Sequence, residues 1–268
     1  MRNIIILLLV SLSFGVTVTD IDGNVYETVL IGNQLWMKEN LKVTKLNNGG
    51  NLSNPQSNSD WLYQGNNQNP AYTSYNHNDS YSNTYGYLYN GYAALDNRLC
   101  PEDWHVPSSS EVETLKSFLG GTDVSGGKLK EGGTSHWSSP NTGATNESGF
   151  TALPGGYTHG NGSNHMGNMA FFWTSTDNNA WSMMNWGLVY DGAQTSTGAH
   201  DHRSGMSIRC LADAIITGCT DPAAHNYEAI ANVDDGSCGY VILVPSEYST
   251  IQSAIDAASE NDSIFVSA

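Results

Sequence analysis

Apolar and polar positions alternate at Val16 and Val18 and again through a β-rich run from Val25 to Ile31, with Asp22-Gly23 and Gly32-Asn33 at the breaks and Gln34 to Met37 beyond. Alternation at period two, interrupted by such turn pairs, predicts two successive tight hairpins over 16–41. The period changes after Pro107. Ser108 and Glu111 have capping-box spacing, Val112, Leu115, Phe118 and Leu119 fall on one face, and Gly120-Gly121 follows. This pattern predicts a short amphipathic helix that starts and stops on local signals. Between these parts, residues 47–90 carry twelve asparagines and seven tyrosines with only Asp60 and Asp79 charged, which reads as long surface loops. From 122 to 212 the β-type runs near "MAFFWTS", "WGLVY" and "MSIRCLA" are separated by Gly, Ser and Asn, so short strands and loops are expected there. The expectation is an α+β domain with short antiparallel sheets, one clear amphipathic helix and long irregular loops.

The tail reads differently. Ser249 and Gln252 have capping-box spacing, and Ile251, Ala254, Ile255 and Ala258 form a narrow apolar stripe ahead of a final β-type run, "DSIFVSA". At the other end, Arg2, an apolar run from Ile4 to Val10 and small residues at Ser11, Ser13 and Gly15 have the layout of a secretory leader over residues 1–16. A spanning helix needs about 20 apolar residues. No other stretch approaches that length, so no integral membrane segment is expected after removal of the leader, and the protein is expected to be secreted or at the cell surface.

Charge narrows the partners. Twenty-six acidic against ten basic residues leave a formal charge of -16, which repels phosphate backbones, so no nucleic-acid partner is expected. Export permits disulfides, and Cys100, Cys210, Cys219 and Cys238 allow three pairings among which the residues alone do not choose. "DIDGN" misses the calcium-loop register because Val25 stands where the glycine of an EF-hand belongs.

The ordered segments "DGNVYETVLIGNQLWMKENL", "YGYLYNGYAAL", "LCPEDWHVPSSSEVETL", "GGKLKEGGTSHWSSPNTGATNESGFTALPGGY", "FFWTST" and "GMSIRCLAD" resemble the Fibrobacter succinogenes major paralogous domain over about residues 18 to 212. That family is similar in pattern to C-type lectin-like and formylglycine-generating-enzyme folds. The resemblance implies a C-type lectin-like domain that displays variable loops from a rigid base. "GCTDPAAHNYEAIANVDDGSC" resembles a short cysteine-bounded repeat of exported proteins, and the tail is similar to the entry into a pectin-lyase-like parallel β-helix. The implied layout is a leader at 1–16, the major domain at 17–212, a stapled repeat at 213–239 and the start of a β-helix at 240–268. One cysteine pair then lies inside each recognised unit, Cys100 with Cys210 and Cys219 with Cys238.

In C-type lectin-like proteins the loops before the last strand form the ligand surface. By this resemblance Asn178, Asn179, Trp181, Asn185, Trp186, Tyr190 and Asp191 would supply stacking faces and amide hydrogen bonds to an extracellular glycan or protein ligand, together with the Asn- and Tyr-rich loops of 47–84. The expected function is non-catalytic ligand binding or adhesion. Rival readings are a formylglycine-generating type of oxidase, in which Cys210 would have to be a free thiol, and a structural adhesin spacer. "AHDHRSG" places His200 and His202 two apart, but the further ligands of a metal site are lacking, so both read as solvated loop histidines. Glu-Pro-Asn and Gln-Pro-Asp, the calcium-lectin tripeptides, do not occur. No cofactor and no metal ligands are assigned. A structural calcium ion stays open in so acidic a chain. Between Cys219 and Cys238 zinc lacks soft ligands and "NVDDGS" misses the EF-hand register, which favours a stapled spacer.

Overall fold

The computed structural model describes residues 16–267. The leader expected at the N-terminus lies outside the described residues. Residues 17–215 form one compact unit, and the residues from Ile216 onward belong to a second.

Both predicted hairpins form. Thr17–Thr19 pairs with Val25–Ile31, which pairs with Gln34–Met37, all antiparallel. The first turn is built by Asp20, whose carboxylate accepts hydrogen bonds from the Asp22 and Asn24 amides and from the Tyr26 hydroxyl at 2.7 Å. Leu211–Ala212 and Trp104–His105 complete a five-stranded sheet, so the far end of the domain is paired to its beginning. A second sheet of three strands comprises Met169–Asn179, Ser182–Val189 and Thr195–Asp201, with Ser182–Val189 in the middle. The third sheet holds five short strands, Tyr72–Thr73, Leu88–Asn90, Gly205–Met206, Tyr157–His159 and Gly162–Asn164.

The amphipathic helix spans Ser109–Phe118, and Ser108 and Glu111 form the expected reciprocal cap. Val112 and Leu115 point into a core shared with Trp36, Trp137, Phe150, Phe172 and Trp186. Phe118 does not follow them; it is 63% exposed. The buried position of that turn belongs to Lys116, whose ammonium donates to Glu113 Oε1 at 2.8 Å and to Thr197 Oγ1 at 2.7 Å.

Two expectations need correction. Residues 122–212 do not consist of strands and loops alone, because Thr122–Leu129 is a second helix. Gly126 and Gly127 lower its intrinsic helicity. They are needed there, since a Cβ at Gly126 would stand 2.3 Å from the Gln194 carbonyl oxygen and one at Gly127 2.2 Å from that of Gly143. Residues 47–90 are likewise more than loops. Asn58–Asn66 is a helix capped by the Ser57 side chain, which accepts from the Asp60 amide, and Trp61 on it is buried. Its apolar face is a single tryptophan, too little to register as a period.

In the second unit Thr217–Gly218 pairs in parallel with Val233–Asp234, and Cys219 is bonded to Cys238. Asp234 and Asp235 accept the amides of Gly236 and Ser237, as turn carboxylates do. Val241–Val244 pairs in parallel with Ser263–Val266, joined through the helix Ile251–Ala257. The cap of that helix sits one residue later than expected, on Thr250 and Ser253. Of the expected stripe, Ala254 is buried with Ile242 and Val244, while Ile251 and Ile255 are exposed.

Cys100 is bonded to Cys210 across a sequence separation of 110, beside the strand that closes the first sheet. The bridge constrains a long loop of the unfolded chain, so replacing both cysteines by serine should lower the unfolding free energy of the 17–215 unit by about 4 to 5 kcal/mol. Urea denaturation checks this; an unchanged midpoint would show that the bridge adds nothing to the packed core.

Candidate functional site

The strands Met169–Asn179 and Ser182–Val189 meet in a turn that carries three of the expected ligand residues. Asn178 and Asn179 are exposed there, the first donating to Ser182 Oγ at 2.9 Å and the second accepting from the Trp181 amide at 2.9 Å. Trp181 projects from the tip and is 80% exposed. The other expected residues part company with it. Trp186 is 1% exposed and stacks on Phe172 with ring centroids 4.6 Å apart, so it is a core residue and not a ligand platform. Asn185 is buried too, and its amide donates to His200 Nδ1 at 2.9 Å. Tyr190 packs half-buried against the core, and Asp191 is exposed but does not line the cleft at Trp181.

That cleft, of about 160 Å³, lies between the hairpin tip and the end of the Asn58–Asn66 helix. Trp181 and Tyr92 are its aromatic lining, and Asn66, Gln68, Asp201 and Arg203 its polar lining. The two segments singled out in the sequence thus meet at one place. Arg203 is locked into a two-pronged pair with Asp201, Nε to Oδ1 at 2.9 Å and Nη2 to Oδ2 at 2.6 Å, and its Nη1 reaches Asn66 Oδ1 at 3.1 Å. Its backbone carbonyl accepts from the buried Trp61 indole at 2.7 Å. Gly65 permits this approach, because a Cβ there would stand 2.6 Å from Arg203 Cγ.

His202 corrects the solvated-loop reading of the histidine pair. It is buried, its ring stacks on Tyr92 at 5.3 Å and its Nε2 meets Asp177 Oδ1 at 2.8 Å. Its backbone carbonyl accepts from the Gly91 amide at 2.7 Å and its amide donates to the Trp181 carbonyl at 3.3 Å. His202 therefore ties Tyr92, the hairpin tip and the end of the strand Thr195–Asp201 together behind the cleft. His200 sits apart, on Asn185, and burial with His159 nearby holds its imidazole below the usual value.

Tyr92, Asp201 and Arg203 were not singled out in the sequence. Tyr92 is hidden in the apolar run "YNGYAAL", and Asp201 and Arg203 flank the histidine that drew attention to "AHDHRSG". Their signal was an acid and a base two residues apart at a strand exit, where the carboxylate can accept the backbone amide that follows; Arg203 N does donate to Asp201 Oδ1 at 2.8 Å.

The description "Fibrobacter succinogenes major domain" belongs to the family model that matches residues 29–212. No curated protein and no solved structure matches the chain.

The Arg203 hydrogen bonds hold the Asp201 carboxyl below its ordinary 3.8 despite partial burial. A lowered carboxyl contributes stability that is present above the ordinary value and lost as the pH falls through the lowered one. Carbon-13 titration of the side chain should place the Asp201 midpoint below 3.8, and Arg203→Gln should move it upward because burial then acts with less opposition. A midpoint indifferent to the substitution would mean that the pair does not persist in solution.

Proposed function

The chain belongs to the Fibrobacter succinogenes major domain family, and from that premise we propose that it is an exported glycan-binding protein, secreted or held at the cell surface, whose major domain has a C-type lectin-like architecture. Two disulfides support an oxidising compartment. Cys210, the thiol that an oxidase of the formylglycine-generating type would require, is consumed by Cys100. The tail with its parallel strand pair reads as a β-helix entry set behind the stapled repeat.

One observation carries the ligand assignment: a tryptophan that is 80% exposed stands over a cleft that also presents Tyr92, an amide pair and a preorganised Asp201–Arg203 fork. Sugar rings offer an apolar face edged with hydroxyls. An exposed indole supplies the stacking surface, and carboxylate, guanidinium and amide groups supply both acceptors and donors for adjacent hydroxyls. The Asp201 charge largely cancels that of Arg203, and the chain as a whole is strongly acidic, so a neutral sugar suits the site better than an acidic one. At about 160 Å³ the cleft is smaller than the roughly 300–1,000 Å³ of sites for drug-sized ligands. It fits a single sugar unit of a longer chain.

A glycan array probed with residues 17–215 tests this. Trp181→Ala should weaken binding by about tenfold or more while shifting stability by less than about 0.5 kcal/mol. Trp186→Ala should instead destabilise the fold by roughly 3–5 kcal/mol. Retention of full binding by Trp181→Ala would move the ligand surface elsewhere.

A further inference from the structure

A second cavity, of about 220 Å³, opens beside the first sheet and shares no residue with the Trp181 cleft. At its base is Arg209, which is 2% exposed. Its Nε donates to Asn40 Oδ1 at 2.9 Å, its Nη2 to the Thr151 carbonyl at 2.9 Å and its Nη1 to the Phe150 carbonyl. A guanidinium has five donors, so among the described residues one N–H on each terminal nitrogen has no protein acceptor. Among the described residues no carboxylate lies within the 4.0 Å of an ion pair. Burial alone drives this group down to about 9, with Glu39 the opposing influence.

Glu39 lines the same cavity. Its Oε2 accepts from the Glu27 amide at 2.9 Å, and among the described residues its second oxygen has no protein donor. Burial pushes its carboxyl above the usual range, offset in part by Arg209. The other two charges at the rim, Lys38 and Glu27, neutralise each other at 2.6 Å. The cavity is left with unmatched donors at its base and an unmatched acceptor on its wall, both partly or wholly withdrawn from water.

A buried charge without a counter-ion is unfavourable, and here one small molecule satisfies both groups. We propose that this cavity binds a free α-amino acid, its carboxylate on the outer N–H groups of Arg209 and its ammonium on Glu39. A simple anion would satisfy Arg209 and meet repulsion from Glu39, whereas an amine would do the reverse. The volume again lies below the roughly 300–1,000 Å³ of drug-sized sites, so the ligand is small.

Calorimetry on the full chain tests the assignment with a panel of free amino acids, their N-acetyl derivatives, which keep only the carboxylate, and their amides, which keep only the ammonium. At least one free amino acid should bind saturably, and its two single-charge derivatives should bind about tenfold more weakly or worse, as loss of one charge-assisted hydrogen bond implies. Glu39→Gln should cause a comparable loss, and Trp181→Ala should leave this binding unchanged. Should Glu39→Gln fail to fold, Thr84→Trp at the exposed rim fills the cavity and should abolish binding. The proposal is overturned if no free amino acid binds, if an N-acetyl derivative binds as well as its parent, or if the amino acid still binds after the cavity is filled.

Discussion

A guanidinium held in the interior by main-chain oxygen organises the major domain. Arg209 precedes the disulfide-bonded Cys210 and spans from Asn40, after the first sheet, to the Phe150 and Thr151 carbonyls of the long central loop. Its Cζ lies 4.2 Å from the Phe150 ring centroid and 5.8 Å from that of Phe172, which in turn stacks on Trp186. One side chain thereby fixes the distance between the first sheet, the loop and the second sheet. A hydrophobic residue of similar size would fill the space but leave the buried Phe150 carbonyl without a donor, at a cost of about 1–3 kcal/mol.

Lys130 repeats the device on the other side of the core. Its ammonium donates to the carbonyls of Thr142, Val189 and Gly192 at 2.8 to 2.9 Å and lies 5.3 Å from the Trp137 ring centroid. Burial pushes it down to about 8 against the opposing charge of Asp191, and its three donors each meet a carbonyl acceptor. Asparagines do the same work without charge. Asn90 accepts from the Ala71 and Ala93 amides, and Asn141 donates to the Glu131 and Gly133 carbonyls. Long segments without ladders stay ordered because polar side chains replace the hydrogen bonds that a sheet would have made.

This substitution explains what was legible in the chain. The two N-terminal hairpins and the helix after Pro107 are governed by contacts within a few residues, and turn pairs and a capping box announce such contacts directly. The helices Asn58–Asn66 and Thr122–Leu129 depend on distant partners: the first on the Arg203 stem that lies over Gly65, the second on the backbones of Gly143 and Gln194. Their own residues argue against them, since glycine and asparagine are poor helix formers. At the cleft, the exposed and buried tryptophans are five residues apart in similar surroundings. Strand alternation separates them only once the turn before Ser182 is located, and there Trp186 faces Phe172 across the ladder whereas Trp181 lies outside it.

The same logic separates exposed surface from scaffold at the cleft itself. The Asn178 and Asn179 side chains make their hydrogen bonds within the hairpin tip and the Trp181 side chain is 80% exposed, while the Trp181 carbonyl that meets the His202 amide is main chain, so changing these side chains leaves the packing behind untouched. Tyr92, Asp201 and Arg203 present groups to the cleft, but their positions are set from behind, by His202 against Tyr92 and by the Trp61 indole on the Arg203 carbonyl. On the proposed glycan-binding reading, a ligand would meet a polar frame already ordered by the fold, beside an aromatic on an exposed tip. Preorganisation of the frame lowers the entropic cost of binding, and the tip can change its chemistry without altering the frame. On that glycan-binding reading, selectivity among ligands would be set at the hairpin tip, where substitutions are cheap, and the affinity common to all of them at residues whose replacement would disturb the core.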